Sequence, residues 1–340
     1  TDLQRDLDVL RERVLAIHPA PFARIAPDAF EAAFADLRMR LPSLDADEAL
    51  VGMMRLVALL RDGHTSVLAA PLLRDGTFFP LRLRAFDGTL HVATLPLPQR
   101  ALVGARVVAV GDVPAAEALD RLRALRAADN DFGRDAWSVD LLLIPAIARA
   151  LGLSDGTALD LTLEDAAGAP HRLSLAPVRA SGDDPGSFLQ HPVGGPAGHR
   201  WAMLPEGVTL PRHLDSRDRP WWYEVLPDGR TVYLRFASVR NAEDETFAAF
   251  HRRLFTEIDA RGLDRLVVDL RWNDGGDGEL LWDFVYAILR RDTLNRPGHL
   301  YVLTSGWTFS AAVMAAARLR RHTEAILVGA PTGAGANHHG

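Results

Sequence analysis

The stretch RLVVDLRWNDGGDG, residues 265–278, joins an apolar run to a loop with paired glycines. The run Arg265 to Leu270 is rich in aliphatic and β-branched residues, which is typical of a buried strand. The pair Gly275 and Gly276 lets the backbone approach another group closely and leaves N–H groups unblocked. The loop is not a phosphate-binding loop, because the spacing and the lysine of that motif are missing. An ordinary strand-to-helix turn with acidic capping residues would also fit this pattern.

Strand and helix patterns alternate on both sides of this loop. Besides Arg265–Leu270, strands are predicted at Thr231–Phe236, His299–Thr304 and Ala325–Val328. The helices between them are predicted at Glu243–Ala260, Glu279–Arg290 and Ser310–Arg321. Such alternation indicates an α/β fold with a mostly parallel sheet and right-handed crossovers.

The preceding residues have a different texture. Residues 2–62 show apolar residues at helical spacing, from Leu3, Leu7, Leu10 and Val14 onward. From about Pro71, short alternating segments predict a β-rich module with a helical insertion at roughly Pro114–Leu151. Residues 180–200 are rich in Gly, Pro, Ser and His, which predicts a linker or mobile loop. The predicted organisation is a helical domain at 1–70, a β-rich module at 71–178, a linker at 179–218 and an α/β domain at 219–340.

The composition removes several classes of chemistry. The chain has no cysteine, which excludes disulfides, thiolate nucleophiles and cysteine-bound metals. All 38 Lys+Arg residues are arginine, so no lysine can act as a catalytic base. A net charge of −6 gives no reason to expect nucleic acid or an acidic membrane as a partner. No apolar run is long enough for a membrane span. The sequence predicts no metal and no other cofactor.

A serine lies where the strand His299–Thr304 gives way to a helix. In Thr308-Phe309-Ser310-Ala311-Ala312, the hydroxyl of Ser310 could attack a carbonyl while the N–H of Ala311 faces the developing oxyanion. Gly275 or Gly276 could supply the other oxyanion donor. A simpler interpretation is that Thr308 or Ser310 only caps the helix.

Serine needs a base to take its proton, and without lysine the leading candidate is histidine. The segment Arg61-Asp62-Gly63-His64-Thr65 places His64 on a turn after the third predicted helix. His338 and His339, and His191 and His199 in the predicted linker, are not expected to take part in catalysis. No histidine pair has the spacing of a helical zinc site.

Each of these signals is weak alone, but their order is specific. The elements are Asp-Gly-His-Thr at 62–65, a β-rich module, Asp-Leu-Arg-x-Asn-x-Gly-Gly at 269–276, Thr-x-Ser-Ala-Ala at 308–312 and Gly-x-Pro-Thr-Gly at 329–333. This order resembles the C-terminal processing, or tail-specific, serine peptidase family, most clearly over 219–340 and 47–67. Within the family, the chain is similar to the branch of the tricorn core and the retinoid-binding-protein repeats, rather than to the Ser–Lys branch.

The resemblance implies a ClpP/crotonase-like catalytic domain, an N-terminal helical domain and a PDZ-like module, whose Gly-x-x-Val-x-x-Val stretch corresponds to 104–110. It implies Ser310 as nucleophile, His64 as base, and an oxyanion hole formed by Gly275 or Gly276 with Ala311. Trp221-Trp222-Tyr223 corresponds to an aromatic segment before the first catalytic-domain strand. The implied substrate is a peptide or unfolded protein tail, and the implied location is periplasmic or otherwise extracytoplasmic in a bacterium.

The chain also departs from the family pattern. Many relatives carry Glu three residues after the nucleophile, where Val313 stands, and Gly63 replaces the serine that precedes the histidine of the tricorn core. The family usually has a further acidic residue after the Pro-Thr-Gly element, so the acid that orients the base is not assigned. Two alternatives stay open: a non-catalytic protein that binds a peptide or lipid on the same scaffold, and a crotonase-type acyl-CoA enzyme.

Overall fold

A computed structural model describes residues 2–73, 76–180, 200–205, 207–215 and 219–337. Much of the predicted linker, and the four histidines at 191, 199, 338 and 339, lie outside these residues. The chain divides into two compact units. The N-terminal unit contains Thr1–Ala128 and Arg134–Thr209, whereas the C-terminal unit contains Asp129–Gly133 and Leu210–His338. Within the described ranges, no helix combines the length and apolar character that a membrane crossing requires.

Three helices open the N-terminal unit: α1 (Asp2–Ile17), α2 (Pro27–Arg40) and α3 (Ala46–Ala58). They bury one apolar cluster that includes Leu7, Val14, Phe30, Leu37 and Leu56. A capping box starts α3, because the carboxylate of Asp45 accepts from the N–H of Glu48 and the side chain of Glu48 accepts from the N–H of Asp45. The helical periodicity of 2–62 is therefore confirmed.

The rest of this unit is mainly antiparallel sheet. Its strands are β1 (Thr77–Phe78), β2 (Arg82–Phe86), β3 (Thr89–Pro96), β4 (Arg106–Val110), β5 (Val113–Pro114), β6 (Leu159–Glu164), β7 (Pro170–Leu175), β8 (Val178–Arg179) and β9 (Trp201–Ala202). The main sheet has the order β2-β3-β4-β6-β7, with β5 on β4 and β9 on β3, while β1 pairs with β8. The helices between β5 and β6 are α4 (Ala115–Arg123), α5 (Asp131–Ser138) and α6 (Pro145–Ala150).

The C-terminal unit is built on one sheet with the order β10-β11-β12-β13-β14. These strands are β10 (Trp221–Val225), β11 (Thr231–Phe236), β12 (Arg265–Asp269), β13 (Leu300–Thr304) and β14 (Ile326–Gly329). The last four are parallel, and β10 is antiparallel to β11. The helices are α7 (Phe247–Arg261), α8 (Leu281–Leu289) and α9 (Ala311–His322). The mostly parallel α/β sheet is confirmed.

One apolar face of this sheet forms the core with the three helices. Val232, Leu234 and Phe236 of β11 pack with Phe250 of α7 and Phe284 of α8. The aromatic segment 221–223 does not precede the first strand of this unit, because it forms part of that strand, β10. Trp221 is fully buried. Parallel strands end at the same edge of a sheet, so the loops after β12 and β13 leave side by side.

Candidate active site

The loop after β12 and the loop after β13 are hydrogen-bonded to each other. The N–H of Phe309 donates to the carbonyl of Asn273 at 2.9 Å. The hydroxyl of Thr308 donates to the carbonyl of Leu270 at 2.7 Å, and the hydroxyl of Ser305 donates to the carbonyl of Arg271. The glycine-rich loop and the serine-bearing loop therefore form one unit of structure.

Asn273 organises the glycine-rich loop from inside. Its side chain is fully buried. Its amide nitrogen donates to the carbonyl of Phe236 at 2.9 Å, and its Oδ1 accepts from the N–H of Gly275 at 2.9 Å. Since buried polar groups are costly when unpaired, these two bonds favour one conformation of the loop.

The two glycines are required by close backbone approach. A Cβ added to Gly275 would lie 2.6 Å from the Cβ of Ser310 and 2.9 Å from the nitrogen of Ala311, and the φ of Gly275 is +107°. A Cβ added to Gly276, with φ +129°, would lie 2.2 Å from the carbonyl oxygen of Val239. Neither position tolerates a side chain without movement of its neighbours. The backbone of Gly275 therefore lies directly against Ser310 and Ala311.

Ser310 has an unusual backbone conformation. It immediately precedes α9 with φ 51° and ψ −127°, a region that residues other than glycine rarely occupy. Its side chain makes no capping hydrogen bond to the helix. Thr308 is no cap either, because its hydroxyl donates to Leu270 and accepts from the N–H of Ser305. The simpler interpretation of these residues as helix caps is therefore wrong.

The backbone N–H groups of Gly275, Gly276 and Ala311 differ in whether they already donate a hydrogen bond. The N–H of Gly275 is bonded to Asn273. In the described part of the chain, the N–H groups of Gly276 and Ala311 donate to no protein acceptor. Ala311 is the first residue of α9, where backbone N–H groups carry partial positive charge. Both N–H groups are therefore uncommitted among the described residues, and that of Ala311 lies at the positive end of α9.

An ion pair between the partly exposed Arg271 and the buried Asp269 lies at the start of the glycine-rich loop. Arg271 contacts both carboxylate oxygens of the fully buried Asp269, with its Nη2 at 2.6 Å from Oδ2. The hydroxyl of Tyr233 donates to the same Oδ2 at 2.6 Å. Burial raises the pKa of Asp269, but the Arg271 and Tyr233 hydrogen bonds outweigh it, so the pKa lies below its ordinary value. The carboxylate stays charged and ties β11 to the loop.

His213 and Arg235 border this ion pair. Arg235 is almost fully buried, and its Nε donates to the carbonyl of His213 at 2.8 Å. Burial and the nearby charge of Arg271 lower the pKa of His213 from 6.5 to about 4. His213 is therefore neutral at neutral pH.

A distant segment supports the serine-bearing loop. Asn130 donates from its side chain to the carbonyl of Thr332 at 2.9 Å. A Cβ on Gly133 would lie 2.0 Å from the carbonyl oxygen of Gly333, so the two backbones are in direct contact. The N–H of Gly333 in turn donates to the carbonyl of Thr308 at 3.0 Å. Residues 129–133, which we call the strap, thus hold the Pro-Thr-Gly element against the loop that bears Ser310.

His64 lies on the predicted turn of the N-terminal unit. Its backbone N–H donates to Oδ1 of Asp62 at 3.0 Å, and the hydroxyl of Thr65 donates to Oδ2 at 2.8 Å. The side chain of His64 is half-buried. Ser310 belongs to the other compact unit. Among the described residues, no cluster of three or more His, Cys, Asp or Glu side chains could hold a metal ion.

The fold of the chain is that of a solved protein. The match to the structure of mature CPAF complexed with lactacystin covers 98% of this chain and 85% of the CPAF chain, with a TM-score of 0.63 and 12% identity. The match to a structure of mature CPAF covers 97% of this chain and 83% of the CPAF chain, with a TM-score of 0.57 and 13% identity. The chain has the CPAF fold. The match to the photosystem II D1 C-terminal processing protease covers 98% of this chain and 82% of that protease, with 17% identity and a low TM-score of 0.40.

No protein-family model matches the sequence, and neither does any curated protein. At 12–13% identity, the likeness to CPAF shows the fold alone.

Sequence reasoning missed three contributors to these loops and turns. The sequence pattern assigns no role to Asn273, whereas its burial indicates that its side chain holds the glycine-rich loop. His18, which contacts Asp62 in the N-terminal unit, gave no sequence signal. The strap offered one faint sign: Gly133 lies inside α5, where glycine costs about 1 kcal/mol relative to alanine.

Proposed function

We propose that the protein is a serine peptidase that cleaves peptides or unfolded protein tails through an acyl-enzyme, with Ser310 as nucleophile. The observation that carries the proposal is the strained turn at Ser310, whose hydroxyl is not used as a helix cap. Strain of this kind persists where the surrounding structure enforces it, and it is common where a nucleophile must be presented. The order of motifs and the CPAF fold support the same function.

The oxyanion donors follow from the hydrogen bonds. Of the residues expected in the oxyanion hole, Gly276 and Ala311 are the better pair of donors, because the N–H of Gly275 is already bonded to Asn273. Each such donor contributes about 3 kcal/mol of transition-state stabilisation in comparable sites. Gly275 acts instead by letting the loop approach Ser310.

His64 is the proposed base. It would accept the proton of Ser310 as the hydroxyl attacks the peptide carbonyl, and return it to the leaving amine. Water then hydrolyses the acyl-enzyme by the same route. The step requires the ring to come within about 2.6–3.2 Å of the hydroxyl during the reaction. The proposal also includes a ClpP/crotonase-like C-terminal unit and an extracytoplasmic location. It further includes a PDZ-like β-rich module, to which the substrate would add as a strand.

The test uses purified protein and fluorescein-labelled casein, an unfolded polypeptide. Ser310→Ala should lower kcat by about 10⁶-fold, as loss of a catalytic serine does in comparable enzymes. The matched control is Ser174→Ala on β7, an exposed serine far along the chain from these loops. A serine-directed phosphonate should label Ser310 of the wild-type protein, and lactacystin, which mature CPAF binds, is a second probe.

Undiminished hydrolysis by Ser310→Ala would refute the assignment. Absence of both hydrolysis and labelling would favour the alternative of a non-catalytic peptide- or lipid-binding protein. Binding of CoA thioesters would instead favour the crotonase-type enzyme.

A further inference from the structure

The turn that carries His64 is held by one carboxylate. Asp62 is mostly buried, with a residue exposure of 9%. Its Oδ1 accepts from the N–H of His64 at 3.0 Å, and its Oδ2 accepts from the hydroxyl of Thr65 at 2.8 Å. Asp62 therefore contacts the main chain of His64 directly, and it also fixes the next residue.

His18 connects this carboxylate to the segment between α1 and α2. Its Nε2 lies 2.8 Å from Oδ2 of Asp62, and its Nδ1 accepts from the N–H of Ala20 at 3.0 Å. Because Nδ1 is an acceptor, the proton of the neutral ring is on Nε2, and Nε2 is the donor to Asp62. The ring thus forms a defined bridge from Ala20 to Asp62.

A second contact from the same segment holds the start of the turn. Arg61 has a φ of 54°, which is unusual for a residue other than glycine. Nη1 of Arg24 donates to the carbonyl oxygen of Arg61 at 2.7 Å. The chain between α1 and α2 therefore contacts the turn at two points before His64, the carbonyl oxygen of Arg61 and the carboxylate of Asp62.

We propose that His18 and Asp62 are positioning residues that set the main chain at His64 for its role as base. The inference rests on the proposed function, and it adds residues that the motif Asp-Gly-His-Thr alone does not connect. The side chains of His18 and Asp62 are 8% and 12% exposed. Hydrogen bonds are electrostatically stronger in such an environment than in water, so the bridge resists rearrangement.

Asp62 is ionised under assay conditions. Burial raises the pKa of its carboxyl, but the His64 N–H, the Thr65 hydroxyl and the His18 ring together hold that pKa below its ordinary value. A carboxyl with a lowered pKa supplies stability above its unfolded pKa and loses it as the pH falls through the folded value. The bridge is thus intact across the neutral range.

The chain contains a matched control pair. Beside the turn between β6 and β7, Nε2 of His171 on β7 lies 2.7 Å from Oδ2 of Asp165. Oδ1 of Asp165 accepts from the N–H groups of Ala167 and Ala169. The two side chains are 37% and 31% exposed. The contact chemistry is the same as at His18 and Asp62, but this turn bears no proposed catalytic residue.

The experiment separates the two ends of the His18 bridge. His18→Asn keeps an acceptor near the Nδ1 position but is too short to reach Asp62, whereas His18→Gln keeps a donor that can reach it. Asp62→Ala removes the carboxylate, and His171→Asn is the control. Each variant is assayed for kcat and KM with labelled casein. In ¹⁵N-histidine-labelled protein, the amide resonance of His64 is followed and assigned by its loss in His64→Gln.

We expect Asp62→Ala and His18→Asn to lower kcat by roughly 10- to 100-fold with KM unchanged, since misplacement of a catalytic group by about 1 Å costs up to 10²-fold. The His64 amide resonance should shift in both. His18→Gln should recover most of kcat, and His171→Asn should match the wild type in both measurements.

An unchanged His64 resonance in His18→Asn overturns the inference, whether or not kcat falls. If Asp62→Ala does not fold, His18→Asn and His18→Gln still decide. If hydrolysis does not depend on Ser310, the proposed function fails, and the resonance alone then shows whether His18 and Asp62 position the turn.

Discussion

Replacing Gly275 by alanine tests the packing that brings the glycine-rich loop to Ser310. The new Cβ would lie 2.6 Å from the Cβ of Ser310, whereas ordinary contact begins at 3.4 Å, so one of the two must move by about 0.8 Å. The nitrogen of Ala311, at 2.9 Å, blocks the adjacent direction. The φ of +107° adds strain that alanine does not accommodate.

Two measurable effects follow from Gly275→Ala. Overpacking and backbone strain together should lower the free energy of unfolding by on the order of 3 kcal/mol. A shift of nearly 1 Å at Ser310, the proposed nucleophile, should lower kcat by about 10²-fold. Urea unfolding followed by circular dichroism measures the first effect, and hydrolysis of labelled casein with phosphonate labelling of Ser310 measures the second.

Gly229→Ala is the matched control within the same unit. Gly229 has a φ of +67°, and a Cβ there meets nothing within 4 Å. It should cost about 1–2 kcal/mol from backbone strain and leave kcat unchanged. If Gly275→Ala behaved like this control, with wild-type kcat and the same small loss of stability, the packing of the two loops described above would be wrong.

Two further perturbations test the surroundings of the site. Gly133→Ala places a Cβ 2.0 Å from the carbonyl oxygen of Gly333, so it should lower the melting temperature and slow phosphonate labelling of Ser310. The control Gly335→Ala should do neither, because the nearest atom lies 3.8 Å from its Cβ. Equal melting temperatures for the two variants would contradict this. Because the pKa of His213 falls from 6.5 to about 4 on folding, the unfolded chain binds more protons between these values, and the free energy of unfolding should decrease as the pH falls from 7 to 4. His213→Phe should flatten that slope in urea titrations, and an unaltered slope would exclude His213 as its cause.

The fold of the C-terminal unit was predictable because its strands are short, apolar and separated by helical periodicity. The prediction of Thr231–Phe236 coincides with β11, all six of whose residues are buried. The helix predicted from Glu243 begins later, at Phe247, because Thr246 accepts the N–H of Ala249 as an N-cap. Element boundaries depend on such single hydrogen bonds, which periodicity does not report.

The candidate site was predictable only in part. Motif order pointed to Ser310 and the paired glycines, since each lies next to a strand end that the pattern predicts. The proposed preference for Gly276 over Gly275 as an oxyanion donor rests on the hydrogen bond from the N–H of Gly275 to Asn273, a contact that the sequence pattern does not reveal. The strap was unpredictable for the same reason, because Asn130 and Thr332 are 202 residues apart in the chain.

That separation has a consequence for biosynthesis. Residues 129–133 leave the ribosome long before their partners at 332–335, although both belong to the same compact unit. At about 5–20 residues per second, a gap of 202 residues corresponds to roughly 10–40 s of translation. The nascent chain must keep this short segment available throughout that interval, so the loop that bears Ser310 can acquire this support only after residues 332–335 have left the ribosome.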